Sequence, residues 1–185
     1  MRARQHQEPP GRFRYAVRLA WAALLGALPV TLSGCIAPDI NVIGGVGFAV
    51  DDQGRLMVVV EGCGRPVVRV HMAYDREGLT SDEEPNEEIG EWTLDDSQNP
   101  PAQLVISDPG PEWTGSAVRI DPERGVIADG LGERSDVLTQ ASLAPGQIPQ
   151  LEPGKVYYTP RGDPVAVAGT RAEFTAWACS DRDDI

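Results

Sequence analysis

From residue 40 onward the chain runs in short β-branched and aliphatic stretches, which proline and glycine interrupt before any can reach helical length. Asn99-Pro100-Pro101, Asp108-Pro109-Gly110-Pro111 and Asp121-Pro122 each remove backbone donors and fix φ, so they block a helix and supply a turn. Between such points lie strand-like runs at Ile40 to Ile43, Gly47 to Val50, Leu56 to Glu61, Val67 to Tyr74, Glu91 to Leu94, Gln103 to Ser107 and Ser116 to Ile120. Arg171 to Cys179 reads as a last strand after the short apolar piece Val165-Ala166-Val167. This rhythm predicts an all-β fold, a single β-sandwich domain over residues 41–185.

Some of the runs carry more detail. Asp51-Asp52-Gln53-Gly54 is a tight turn between two strands, with the glycine available for positive φ. Residues 56 to 60 are apolar without alternation, which predicts a strand covered on both faces. Val67 to Tyr74 alternates, placing Val68, Val70, Met72 and Tyr74 on one face and Arg69 with His71 on the other. His71 therefore reads as a partly exposed strand residue; a catalytic or metal role is the competing reading. Gly125 to Leu143 has no clear period, and Ser135 to Ser142 is compatible with one short helical turn. Residues 75–90 form an acidic loop, read as a solvated loop first and a calcium or cationic-partner site second, because its acids lack the spacing of a calcium loop.

Leu151-Glu152-Pro153-Gly154-Lys155-Val156-Tyr157 resembles the tyrosine corner of immunoglobulin-like and fibronectin type III sandwiches. The resemblance implies that Leu151 and the Tyr157 ring fill the end of the sandwich, while the Tyr157 hydroxyl satisfies an upstream backbone group. The competing reading is an ordinary turn before a strand.

A second resemblance fixes the compartment. Leu32-Ser33-Gly34-Cys35 resembles the lipobox of bacterial lipoproteins, and the overall composition is similar to that of lipoproteins from high-GC Gram-positive bacteria. Arg2, Arg4, Arg12, Arg14 and Arg18 form a basic flank, and an uncharged stretch from Leu19 to Gly34 follows. The resemblance implies a helical signal peptide over residues 1–34, cleavage before Cys35, and a diacylglyceryl thioether, with acyl chains such as palmitate, on the Cys35 sulfur. The alternative is an uncleaved signal anchor in which Cys35 is an ordinary thiol. Residues 35–40 would be a short membrane tether, reaching about 15–17 Å at full extension. The expected localisation is lipid-anchored on the extracytoplasmic face of the cell membrane, with a partner or ligand of the envelope close to the bilayer.

Cleavage before Cys35 would leave 151 of the 185 residues, the size of one domain. It would remove five of the 16 basic residues and one of the 28 acids, leaving 11 and 27 and a formal charge of −16. So few cations exclude nucleic acid as a partner, and the sign of the field opposes adhesion to anionic lipid heads. With Cys35 acylated, Cys63 and Cys179 remain, 116 positions apart. Outside the cytoplasm the economical pairing is a disulfide, which would restrict the unfolded chain by about 4–5 kcal/mol on the entropic model. Two separately buried thiols are the alternative.

No catalytic set is recognisable. His71 is the one histidine after the leader, and nucleophile elbows, phosphate-cradling loops and zinc-ligand spacings are missing, so no cofactor and no metal are expected. The sequence thus reads as a binding or structural module of the cell envelope and not an enzyme. A carboxylate-pair cell-envelope hydrolase is the alternative, since that chemistry needs only two acids at a suitable spacing. A two-lobed solute receptor is disfavoured by length.

Overall fold

β1 (Asn41–Val50) is the strand on which the rest is assembled, and its eight residues from Ile43 to Val50 are buried on both faces. Val46, Phe48 and Val50 point into the main core, while Gly45 and Gly47 lie under Trp177 and Phe174 of the C-terminal helix. Ile43 and Val46 share the interior although three positions apart, which the irregularity between Val42 and Gly44 permits.

The computed structural model describes residues 40–76, 85–94, 102–134 and 136–180, within a compact unit Asp39–Ile185. The leader, Cys35, most of the tether and the centre of the acidic loop lie outside the described residues. After β1 come β2 (Leu56–Glu61), β3 (Val67–Tyr74), β4 (Glu88–Leu94), β5 (Ala102–Val105) and β6 (Trp113–Thr114). They are followed by β7 (Val126–Gly132), β8 (Asp136–Leu143), β9 (Val156–Tyr158), β10 (Val167–Gly169) and helix α1 (Arg171–Ala178). All ten strands join one mixed sheet in the order β10-β9-β1-β8-β7-β3-β4-β6, with β2 beside β1 and β5 beside β2. β1 is parallel to β8 and antiparallel to β2 and β9. The β6 end of this path meets the β2–β5 branch where the Trp113 indole N–H in β6 donates to the Gln103 carbonyl of β5 at 3.1 Å. The fold is therefore all-β, a nearly closed sheet around one core. No helix among the described residues is long and apolar enough to cross a membrane.

The unbroken apolar run of β2 has a simple cause. Val58 and Val60 enter the main core, and Met57 and Val59 meet Phe174, Trp177 and Tyr158 on the outer side, where α1 lies. Both faces are covered, as the missing alternation requires. The β1–β2 turn also follows its sequence, with Gly54 at φ 73° and its N–H on the Asp51 carbonyl.

Several local expectations fail. Arg171 to Cys179 is not a strand: Arg171–Ala178 is helical, because Thr170 and Glu173 form a capping box. The Thr170 hydroxyl accepts the Glu173 N–H at 3.2 Å and the Glu173 carboxylate accepts the Thr170 N–H at 2.6 Å. Phe174 and Trp177, three positions apart, then share the buried side. Ser135 to Ser142 is not a helical turn, since Asp136–Leu143 is β8. Its partner β7 buries Val126, Ala128, Gly130 and Gly132, residues too small to register as an apolar face. In β3 the core takes Val67 and not Val68, because the pairing with β7 slips between Val67 and Arg69. Ser116 to Ile120 joins no ladder, although Val118 donates its N–H to Ile106. The end of the acidic loop is structured, with Glu88 to Gly90 opening β4.

Candidate functional site

β1 carries the chain from Ile40 at one end of the domain to Val50 at the other, about 30 Å at an ordinary strand rise. At the far end Val50 pairs with Leu56, and there a cavity of about 270 Å³ opens. Its apolar lining is Leu56, Ile106, Val118, Ile120 and Ile148; Ser107 and Arg119 are its polar members.

Three of the four chain segments that line this cavity are tied together by backbone hydrogen bonds. The Ile106 N–H donates to the Leu56 carbonyl at 3.2 Å, and the Val118 N–H donates to the Ile106 carbonyl at 3.0 Å. Ile148 arrives on a single 3₁₀ turn, Ile148–Gln150, with Pro149 inside it. An ion cluster fixes the neighbouring turn: Arg55 Nε meets Asp51 Oδ2 at 2.6 Å and its NH1 meets Asp108 Oδ2 at 3.1 Å. The Arg55 backbone N–H holds the Asp51 carboxyl below its ordinary value, and the Arg55 guanidinium and the Gln53 N–H add to this. Asp121, two residues past Arg119, accepts the Glu123 N–H at 3.0 Å. Arg119 itself is exposed and has no carboxylate at ion-pair distance among the described residues. A smaller cavity of about 110 Å³ lies against Asp75, Leu143 and Val165.

At the opposite end Cys63 and Cys179 form a disulfide, with Cα atoms 5.7 Å apart. The buried Glu61 lies beside it, and its carboxylate accepts the Cys63 N–H at 2.9 Å. Cys63 sits at φ 54°, in the left-handed region that costs a side chain about 1–2 kcal/mol. Glu61 and the two sulfurs would be a metal donor set only with the thiols free. With the bridge closed, the sulfurs are spent on each other.

Tyr157 and Leu151 are both buried in the main core, and the Glu152 N–H donates to the Tyr157 hydroxyl at 3.0 Å. Tyr158 takes the other face and stacks on Trp177 with ring centroids 4.6 Å apart. His71 lies on the outer face of the sheet, register partner of both Glu91 and Asp129, and its Nδ1 is 3.2 Å from Asp129 Oδ2. Arg69 beside it pairs with Glu91 at 3.1 Å. Neither cavity is lined by His71.

The apolar cavity escaped sequence reasoning because its lining comes from four separated segments, each with ordinary aliphatic residues. The one signal was Ser116 to Ile120, whose alternation reflects Val118 and Ile120 facing the cavity, not a strand in the sheet. No protein-family model matches the chain, and no curated protein or solved structure matches it either.

Proposed function

We propose that this chain is a lipid-anchored lipoprotein of the extracytoplasmic face of the cell membrane, held through Cys35, and that it works as a binding module of the envelope. The observation that carries the binding reading is the apolar cavity at the Val50 end of β1, the end remote from where the tether joins. A tether of this length keeps the domain near the bilayer. The lipobox Leu32-Ser33-Gly34-Cys35 supports the anchor. The closed Cys63–Cys179 bridge supports an oxidising compartment. The Tyr157 hydroxyl accepting the Glu152 N–H supports the local tyrosine-corner resemblance of Leu151 to Tyr157.

A carboxylate-pair hydrolase needs two acids facing one cleft. Among the described residues, the two cavities above hold one acid between them, Asp75.

Metabolic labelling with a clickable palmitate analogue tests the anchor: label on the wild type and none on Cys35→Ala is expected, and an unlabelled wild type overturns it. For the binding reading, a photo-crosslinker replacing Ile120 in the native membrane should capture a partner or ligand that the same group at Arg69 does not. Equal capture at both positions, or hydrolysis of cell-wall glycan by the purified protein, would reject it.

A further inference from the structure

We infer that the cavity takes a single-chain amphiphile, with an apolar body of roughly ten carbons and one oxyanion head held at Arg119. This rests on the reading of the cavity as the binding site, and it adds the class of ligand. The size follows by comparison. An enclosed apolar cavity of about 150 Å³ binds benzene, and this one, about 270 Å³ and open to solvent at its mouth, has room for a longer apolar chain. Five of its seven lining residues are aliphatic, so water inside would find few partners while methylene groups would find many.

Arg119 sets the head. Among the described residues Arg55, Arg65, Arg69 and Arg124 are each ion-paired, whereas Arg119, like Arg134, Lys155, Arg161 and Arg171, has no carboxylate at ion-pair distance; of these five only Arg119 lines the cavity. Asp108 is ion-paired with Arg55, and one oxygen of Asp121 accepts the Glu123 N–H. A guanidinium left open at the mouth of an apolar cavity matches a carboxylate or phosphate head. The formal charge of −16 after cleavage restricts the choice further, because it opposes polyanions and leaves room only for a single negative head seated against Arg119. A cationic head would face Arg119 directly.

The compact unit Asp39–Ile185 contains every strand, the helix and the disulfide, so the soluble chain 36–185 is the test protein. Its fold is checked by circular dichroism and by the blocked state of Cys63 and Cys179. Calorimetric titration with hexanoate, octanoate, decanoate and dodecanoate should show affinity rising up to about fourfold per methylene and levelling near decanoate. Decanol should bind about tenfold more weakly than decanoate. Arg119→Gln should erase that difference and leave decanol unchanged, and Ile120→Asp should weaken both. Stronger binding of decyl phosphate than of decanoate would assign the head to a lipid phosphate, and the reverse to a free fatty acid; either supports the inference. Equal affinity of decanol and decanoate for the wild type overturns the oxyanion head and leaves the cavity reading standing. No binding by any member, or binding indifferent to Ile120→Asp, overturns the cavity reading itself.

Discussion

The Thr175 hydroxyl in α1 donates to Glu61 Oε2 at 3.2 Å, from the helix to a strand residue 114 positions earlier. The other oxygen of that carboxylate accepts the Cys63 N–H. Glu61 is only 5 % exposed, yet both oxygens are satisfied. The half-buried Arg171 supplies countercharge: burial pushes its guanidinium below the ordinary value, and Glu61 pulls it back up. The helix is thus held to the end of β2 by a polar contact next to the covalent one, over an apolar seam of Phe174, Tyr158 and Trp177.

Removing one side of the polar contact separates its parts. Thr175→Val should cost about 1–2 kcal/mol, because Oε2 of a buried carboxylate loses its donor. Glu61→Leu should cost more, about 2–4 kcal/mol, since it strands both the Cys63 N–H and the Arg171 charge. Denaturant unfolding of the two single variants and the double variant gives the coupling. A coupling energy of zero would mean that the bond contributes nothing.

The bridge closes a loop of 116 residues. Cys63→Ser with Cys179→Ser should lower stability by up to about 4–5 kcal/mol, and the wild type should accept no thiol label until reduced. The thiolates are also poorly stabilised where they sit. Cys179 is at the C-terminal, negative end of α1, and Glu61 adds a carboxylate near both sulfurs. Exchange with an external thiol should therefore be slow. Rapid reduction of the native protein by glutathione would contradict this.

What the sequence disclosed depended on the size of the buried side chains. β2 was legible because Val58, Val59 and Val60 are all large enough to mark both covered faces. β7 was not, because its inward residues are Ala128, Gly130 and Gly132, and Asp129 between them reads as a loop residue. α1 was legible in principle from the Thr170-Arg171-Ala172-Glu173 capping box, a local signal present in the sequence, and its segment holds a single β-branched residue, Thr175. The pairing of Cys63 with Cys179 needed only the count of cysteines and a compartment. The cavity needed the three-dimensional arrangement, since Leu56 and Ile148 are 92 positions apart in the chain.

Glycines of β1 are packing positions, and substitution there should show it. A Cβ on Gly44 would lie 1.7 Å from the Glu61 carbonyl oxygen, which is backbone and cannot swing aside. On Gly47 the nearest atom would be a side-chain one, Val156 Cγ1 at 2.6 Å, with Phe174 Cε2 and the Tyr157 carbonyl oxygen both at 3.2 Å. Gly44→Ala should therefore prevent folding or cost more than the usual overpacking loss of about 1–3 kcal/mol, and Gly47→Ala should stay within it. Thermal melts that rank the two variants the other way would refute the assignment.

Acid should weaken the attachment of α1 through its cap. The Thr170 N–H, with its hydroxyl contributing, holds the Glu173 carboxyl below its ordinary value of 4.5. A carboxyl whose folded value is depressed contributes stability that is complete above the unfolded value and drains away as pH falls through the folded one. The loss thus lies below about pH 4.5 and runs in the acid direction only. Asp51 behaves the same way from an ordinary value of 3.8, through the Arg55 N–H first. At pH near 7, Thr170→Ala should cost about 1 kcal/mol by removing the acceptor for the Glu173 N–H. Glu173→Gln keeps the chain length but no longer titrates, so its thermal midpoint should fall less between neutral pH and pH near 3 than that of the wild type. Glu173→Gln with Asp51→Asn should flatten that acid limb further. Parallel acid limbs for all three proteins would detach these carboxylates from stability.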